Sequence, residues 1–107
     1  GDPWLDKYIF PNGVLPSVSA ITKAAEGRFV IEDVHNFGPD YARTLKCWYR
    51  NFLKVWPDFE EELGDQFFRM WEYYLLMCAG LFDARFVNLH QFVFSKGGVP
   101  GGYTAVR

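Results

Sequence analysis

The sequence predicts an α/β fold in the order loop, helix, strand, helices, strand. Two observations carry this expectation. Apolar residues recur at helical spacing at Tyr41, Leu45, Trp48, Phe52 and Val55, and again at Phe67, Trp71, Tyr74, Cys78 and Leu81. Between and after these stretches, β-branched and aromatic residues gather in two short runs, at residues 29–34 and 86–95. The 107 residues are half apolar and 20% aromatic, enough to fill the core of one modest domain.

Taken in order, residues 1–15 read as an apolar loop. Pro3, Pro11, Asn12, Gly13 and Pro16 punctuate it, and Trp4, Leu5, Tyr8, Ile9, Phe10, Val14 and Leu15 sit among these breakers. Ser17 offers an N-cap for a short helix to about Glu26, stopped by Gly27. A strand follows at 29–34. Pro39 suits the first turn of the next helix, where its missing N–H is no loss. That helix is expected to end at Trp56-Pro57, with Asp58 opening a new segment that Gly64 breaks or bends. The stripe from Tyr41 to Val55 is its buried face. Phe67 to Leu81 then marks a longer helix, which Met70, Met77 and Phe82 widen into one buried on more than one side. After the strand at 86–95, Gly97, Gly98, Pro100, Gly101 and Gly102 make residues 97–107 a flexible tail. No repeat or linker divides residues 1–107, so they read as a single unit.

Two strands make a marginal sheet by themselves, so further strands upstream are expected. The opening Gly1-Asp2-Pro3-Trp4, which lacks an initiator Met, likewise reads as a cut through a larger protein.

Composition excludes several function classes. A net charge of −2 gives no electrostatic footprint for nucleic acid. No apolar run reaches the ~18 residues of a membrane span, and no signal pattern is present. Cys47 and Cys78 do not form a secreted disulfide framework and fit reduced thiols of a cytosolic protein. His35 and His90 have no second ligand at short spacing, so no metal is expected. The glycine-rich tail precedes no helix and is not a phosphate loop. Arg43, Lys46, Arg50 and Lys54 form a basic stripe, read as a solvated face or as a contact for anionic phospholipid head groups.

Three blocks of sequence carry more information than periodicity does. The first is Tyr8-Ile9-Phe10-Pro11-Asn12-Gly13 followed by Leu15-Pro16-Ser17. The second is Glu32-Asp33-Val34-His35-Asn36-Phe37-Gly38, leading through Asp40 to Tyr41, Thr44-Leu45 and Trp48. The third is Tyr73-Tyr74-Leu75 with Cys78-Ala79-Gly80 and Phe82, and Gln91, Val93, Phe94 and Ser95 fit a final strand. Together they resemble the carboxy-terminal part of the cyclopropane-fatty-acyl-phospholipid synthases, along almost the whole chain.

The resemblance implies the carboxy-terminal portion of a Rossmann-like class I methyltransferase domain, with its two strands as neighbours and the last one antiparallel. It implies an enzyme that uses S-adenosylmethionine to turn a cis double bond of a phospholipid acyl chain into a cyclopropane ring. The methyl group moves from sulfonium to alkene, a base removes a proton from it, and the ring closes. That base is a bound bicarbonate, and the family's bicarbonate-binding tyrosine falls on Tyr41, whose phenol can donate to the anion and orient it. Acyl-pocket positions fall on Phe10, Leu15, Leu45, Cys78 and Phe82. The family's glycine-rich cofactor loop, its acidic ribose ligand and its other bicarbonate ligands belong upstream. The isolated 107 residues are therefore expected to bind no cofactor and to be inactive alone.

The partners implied are phospholipid acyl chains, the membrane surface from the cytoplasmic side, and the remainder of the methyltransferase domain. Exposed strand edges add self-association into a homo-oligomer. The competing expectation is a non-catalytic module of the same fold that binds lipid or protein.

Overall fold

The computed structural model describes residues 2–107, and the expectation attached to Gly1 lies outside them. The described elements run α1 (Pro3–Tyr8), α2 (Val18–Ala25), β1 (Val30–Asn36), α3 (Gly38–Asp83) and β2 (His90–Ser95). They form two compact units, Gly1–Asp33 with Phe92–Arg107, and Val34–Gln91.

The first unit corrects the reading of residues 1–15 as loop throughout. Asp2 caps α1 by accepting from the backbone N–H of Trp4 at 2.8 Å and of Leu5 at 3.2 Å, and Pro3 occupies the first turn. An Asp-Pro pair is a helix start, and the prolines that follow only limit its length. No residue of α1 is buried. Helix α2 is capped as expected, with Ser17 Oγ accepting from the Ala20 N–H at 3.0 Å. Gly27, at φ 77°, ends it in a conformation that favours glycine. In β1, Glu32 accepts from Ser95 Oγ at 2.6 Å and from the Val99 N–H at 2.9 Å, while Arg107 pairs with Asp33.

β1 and β2 form a two-stranded sheet. Glu32 meets Ser95, Asn36 meets Asn88 and Phe37 N–H donates to Leu89 O, so the strands run antiparallel. The second strand begins at His90 and not at Phe86. Arg85, at φ 67°, and the residues after it make a turn that the strand-like composition of 86–89 conceals.

The second unit is dominated by α3. Its helix does not end at Pro57, which lies inside it. An interior proline costs about 3 kcal/mol, and packing around it opposes that cost. Trp56 is buried, stacks on Phe67 at 6.3 Å and lies 5.1 Å from Phe68. The break comes at Gly64, whose φ of 82° and ψ of 169° are not helical. There α3 folds back, so that residues 38–63 and 65–83 form two antiparallel arms.

Leu45, Leu75 and Ala79 form the buried core between these arms. Two polar links cross the same region. Tyr49 donates to Glu72 at 2.7 Å, and Lys46 pairs with Asp83 at 2.6 Å. The expected buried stripe from Tyr41 to Val55 is covered only in part. Trp48 is 47% exposed and Val55 45% exposed, because a single facing arm covers only a narrow sector of the helix surface.

Candidate functional site

The loop between β1 and α3 is short and tightly tied, and it sets the position of Tyr41. Asn36 Oδ1 accepts from the Gly38 N–H at 3.2 Å, and its Nδ2 donates to Asn88 Oδ1 at 3.1 Å. Phe37 O accepts from the Tyr41 N–H at 3.2 Å, which closes the first helical turn. A Cβ on Gly38 would meet Phe82 Cδ1 at 3.4 Å and Asn36 Oδ1 at 3.5 Å, so this corner is filled.

The Tyr41 ring is held in aromatic contacts from both arms. It lies edge-on to Phe82 at 5.0 Å and 85°, and edge-on to Trp48 at 5.8 Å and 86°. Such pairs are worth about 0.5–1.5 kcal/mol each beyond area burial, so the ring orientation is strongly specified. Burial raises the Tyr41 phenol above its ordinary pKa, and the nearby Cys78 raises it further. A phenol of this kind stays protonated at neutral pH and offers a neutral O–H donor.

Of the residues named from sequence, Tyr41, Leu45, Cys78 and Phe82 come together in this unit. Leu45 is fully buried, so within these residues it is core beneath the cluster and not an exposed wall. Phe10 and Leu15 belong to the other unit and are 57% and 87% exposed.

The structure adds Tyr74 to the cluster. It packs against the core beside Cys78 and Trp71, with the Trp71 ring edge-on at 5.4 Å. Its pKa is pushed up to about 12, first by burial, then by Cys78 and Tyr41, and by a hydrogen bond with Cys78. The sequence signal was present in the four-residue spacing of Tyr74 and Cys78, which places both on one helix face.

The basic stripe is partly neutralised, with Arg43 3.4 Å from Asp40 and Lys46 held by Asp83. Neither Cys47 nor Cys78 is in a disulfide, and Cys47 Sγ accepts from Arg50 at 3.1 Å. Among the described residues no group of three or more His, Cys, Asp or Glu could hold a metal ion. No helix among them is long and apolar enough to cross a membrane.

Comparison with known proteins gives this arrangement a family. Residues 1–92 match the mycolic acid cyclopropane synthetase family, and the chain belongs to it. It is 54% identical over 106 residues to cyclopropane-fatty-acyl-phospholipid synthase from Escherichia coli K12, covering 99% of this chain and 28% of that protein. In fold it is similar to the cyclopropane synthase MmaA2 from Mycobacterium tuberculosis, with a TM-score of 0.80, 25% identity and 87% of this chain aligned. It is equally similar to mycolic acid cyclopropane synthase CmaA1 complexed with SAH and CTAB, with a TM-score of 0.79 and 26% identity. In both solved structures the match covers 33% of the longer chain.

Proposed function

We propose that this chain is the carboxy-terminal portion of a Rossmann-like class I methyltransferase that builds a cyclopropane ring on a cis double bond of a phospholipid acyl chain. Membership of the cyclopropane synthetase family supports the reaction class. The observation that carries the site assignment is the fixed, protonated Tyr41 between Phe82 and Trp48.

Tyr41 donates its phenolic hydrogen to a bicarbonate oxygen and orients that anion toward the carbon to be deprotonated. A phenol is protonated at neutral pH, and burial moves its pKa further up, away from a phenolate that would repel the anion. The aromatic rings around it favour positive charge developing on the acyl chain during transfer. Phe82 and Cys78 are assigned to contact with the acyl chain, with Leu45 behind them, and Phe10 and Leu15 are assigned acyl contacts from their own unit.

S-adenosylmethionine supplies the one-carbon unit in this reaction. Residues 2–107 provide neither the family's glycine-rich loop nor its acidic ribose ligand, so cofactor binding is assigned to the rest of the enzyme. The same reading places the enzyme peripherally at the membrane, where its acyl substrates are.

Tyr41→Phe in the complete enzyme tests the assignment. Turnover should fall by about 100-fold or more, the usual weight of one preorganised hydrogen-bond donor. Affinity for S-adenosylmethionine, measured by calorimetry, should stay nearly unchanged. Turnover equal to wild type at both limiting and saturating bicarbonate would remove Tyr41 from the mechanism.

A further inference from the structure

The arms of α3 flank a groove of about 400 Å³ that starts at Trp48, whose ring is in edge contact with Tyr41. Its volume falls within the ~300–1,000 Å³ of ligand pockets. Trp48, Val55, Phe59 and Leu63 on the first arm face Phe67 and Trp71 on the second. No lining side chain is charged, and none carries a carbonyl or hydroxyl group. Such a lining suits a hydrocarbon chain, which has no polar groups to satisfy. Trp48, Val55, Phe59 and Leu63 are each more than a third exposed, so the groove is open along one side.

One residue on each arm links the groove to the Tyr41 cluster. Trp48 touches the Tyr41 ring edge-on and also lines the groove. Leu75 packs in the core with Leu45 and lines it as well. From Trp48 to Leu63 the helix rises ~22 Å, against ~15 Å for one leaflet of a bilayer's hydrocarbon core. A whole acyl tail therefore fits along it.

Charge gives this groove a direction. Asp58, Glu60, Glu61, Glu62 and Asp65 surround the turn at Gly64, and no Lys or Arg lies between Lys54 and Arg69. A phosphate head group would be repelled there, and the cations Arg43, Lys46 and Arg50 lie nearer the Tyr41 end of the same arm. Only the uncharged end of a lipid suits the Gly64 end.

We infer that this groove holds the methyl-terminal segment of the acyl chain, so that its length beyond Tyr41 selects where the double bond lies relative to the methyl end. The inference rests on the reaction proposed above and assigns the residues that read chain position. Val55, midway along the groove, is its gauge.

The test uses the complete enzyme and vesicles containing two phospholipids. Their cis-monoenoic chains have equal length, but the double bond lies at different distances from the methyl end. Val55→Trp narrows the groove and should lower kcat/KM for the longer methyl-terminal segment by about tenfold or more relative to the shorter, the effect of a methylene that no longer fits. Val55→Ala opens the groove and should move the ratio the other way, which keeps the test decisive if the Trp variant does not fold. An unchanged ratio, or an equal loss on both lipids, overturns the inference. A wild-type enzyme that forms no cyclopropane from either lipid would defeat the proposed reaction itself. An active wild type with an unmoved ratio in the variants defeats only the groove.

Discussion

The two ends of the α3 hairpin are built from similar residues and packed in opposite ways. Around Tyr41 the arms are closed, with Leu45, Leu75 and Ala79 buried between them and two polar links across them. Toward Gly64 the same arms carry Val55, Phe59 and Leu63, which stay open to solvent. The difference teaches that apolar periodicity marks which face of a helix is sticky, while the number of facing elements decides how much is covered. The donor role proposed for Tyr41 needs the closed end, where ring contacts fix its geometry. A surface that accepts a chain needs the open one.

Leucine truncation at each end breaks or sharpens this contrast most strongly. Leu45→Ala in the complete protein should cost about 2–5 kcal/mol, because it leaves a cavity in a site with no solvent access. Leu63→Ala removes the same atoms from a side chain that is 40% exposed and should cost well under that. Midpoints of urea unfolding for the two variants measure the difference. Equal costs would mean that the rest of the enzyme packs permanently over the Gly64 end, and the groove would then be core.

The turn between the two ends offers a somewhat smaller effect. Gly64 occupies a backbone region that is essentially restricted to glycine, and an alanine there should cost about 1–3 kcal/mol. A methyl group at Gly64 meets no atom within 4 Å, so the cost is backbone strain without a clash. Gly80 is the control, also clear within 4 Å but at an ordinary helical position. Gly80→Ala should therefore stabilise by about 0.5–1 kcal/mol. Opposite signs in thermal unfolding of the two variants would establish that the reversal depends on Gly64.

This contrast also separates what the sequence made legible from what it did not. The α/β class, the Ser17 cap, the start of α3 near Pro39 and the three blocks leading to the family were readable, because local chemistry or specific words encode them. Helix α1 was missed because Pro11, Asn12, Gly13 and Pro16 outweighed one Asp-Pro start. The end placed at Pro57 was missed because Trp56 finds Phe67 and Phe68 only after the chain reverses, eleven residues on. Exposure of Trp48 and Val55 was hidden for the same reason, since periodicity does not count neighbours. Phe10 and Leu15 were readable only through the resemblance, and both are exposed among these residues.

The smallest effect concerns the phenols at the closed end. Tyr74 has its pKa raised from 10.0 to about 12, chiefly by burial. In the unfolded chain the phenol ionises near its ordinary value, while in the folded chain it holds its proton until higher pH. The unfolded state therefore binds fewer protons between these values, and stability must fall as pH rises through that window. Below about 10 the contribution is fully present. Tyr74→Phe removes this ionisation, so the decline in urea midpoint from pH ~9 to ~12 should be shallower in the variant than in wild type. It should not vanish, because the raised Tyr41 phenol contributes in the same direction. An identical alkaline slope in both proteins would mean that the Tyr74 hydroxyl is solvated in the complete enzyme, and that the closed end is less closed than Leu45 makes it.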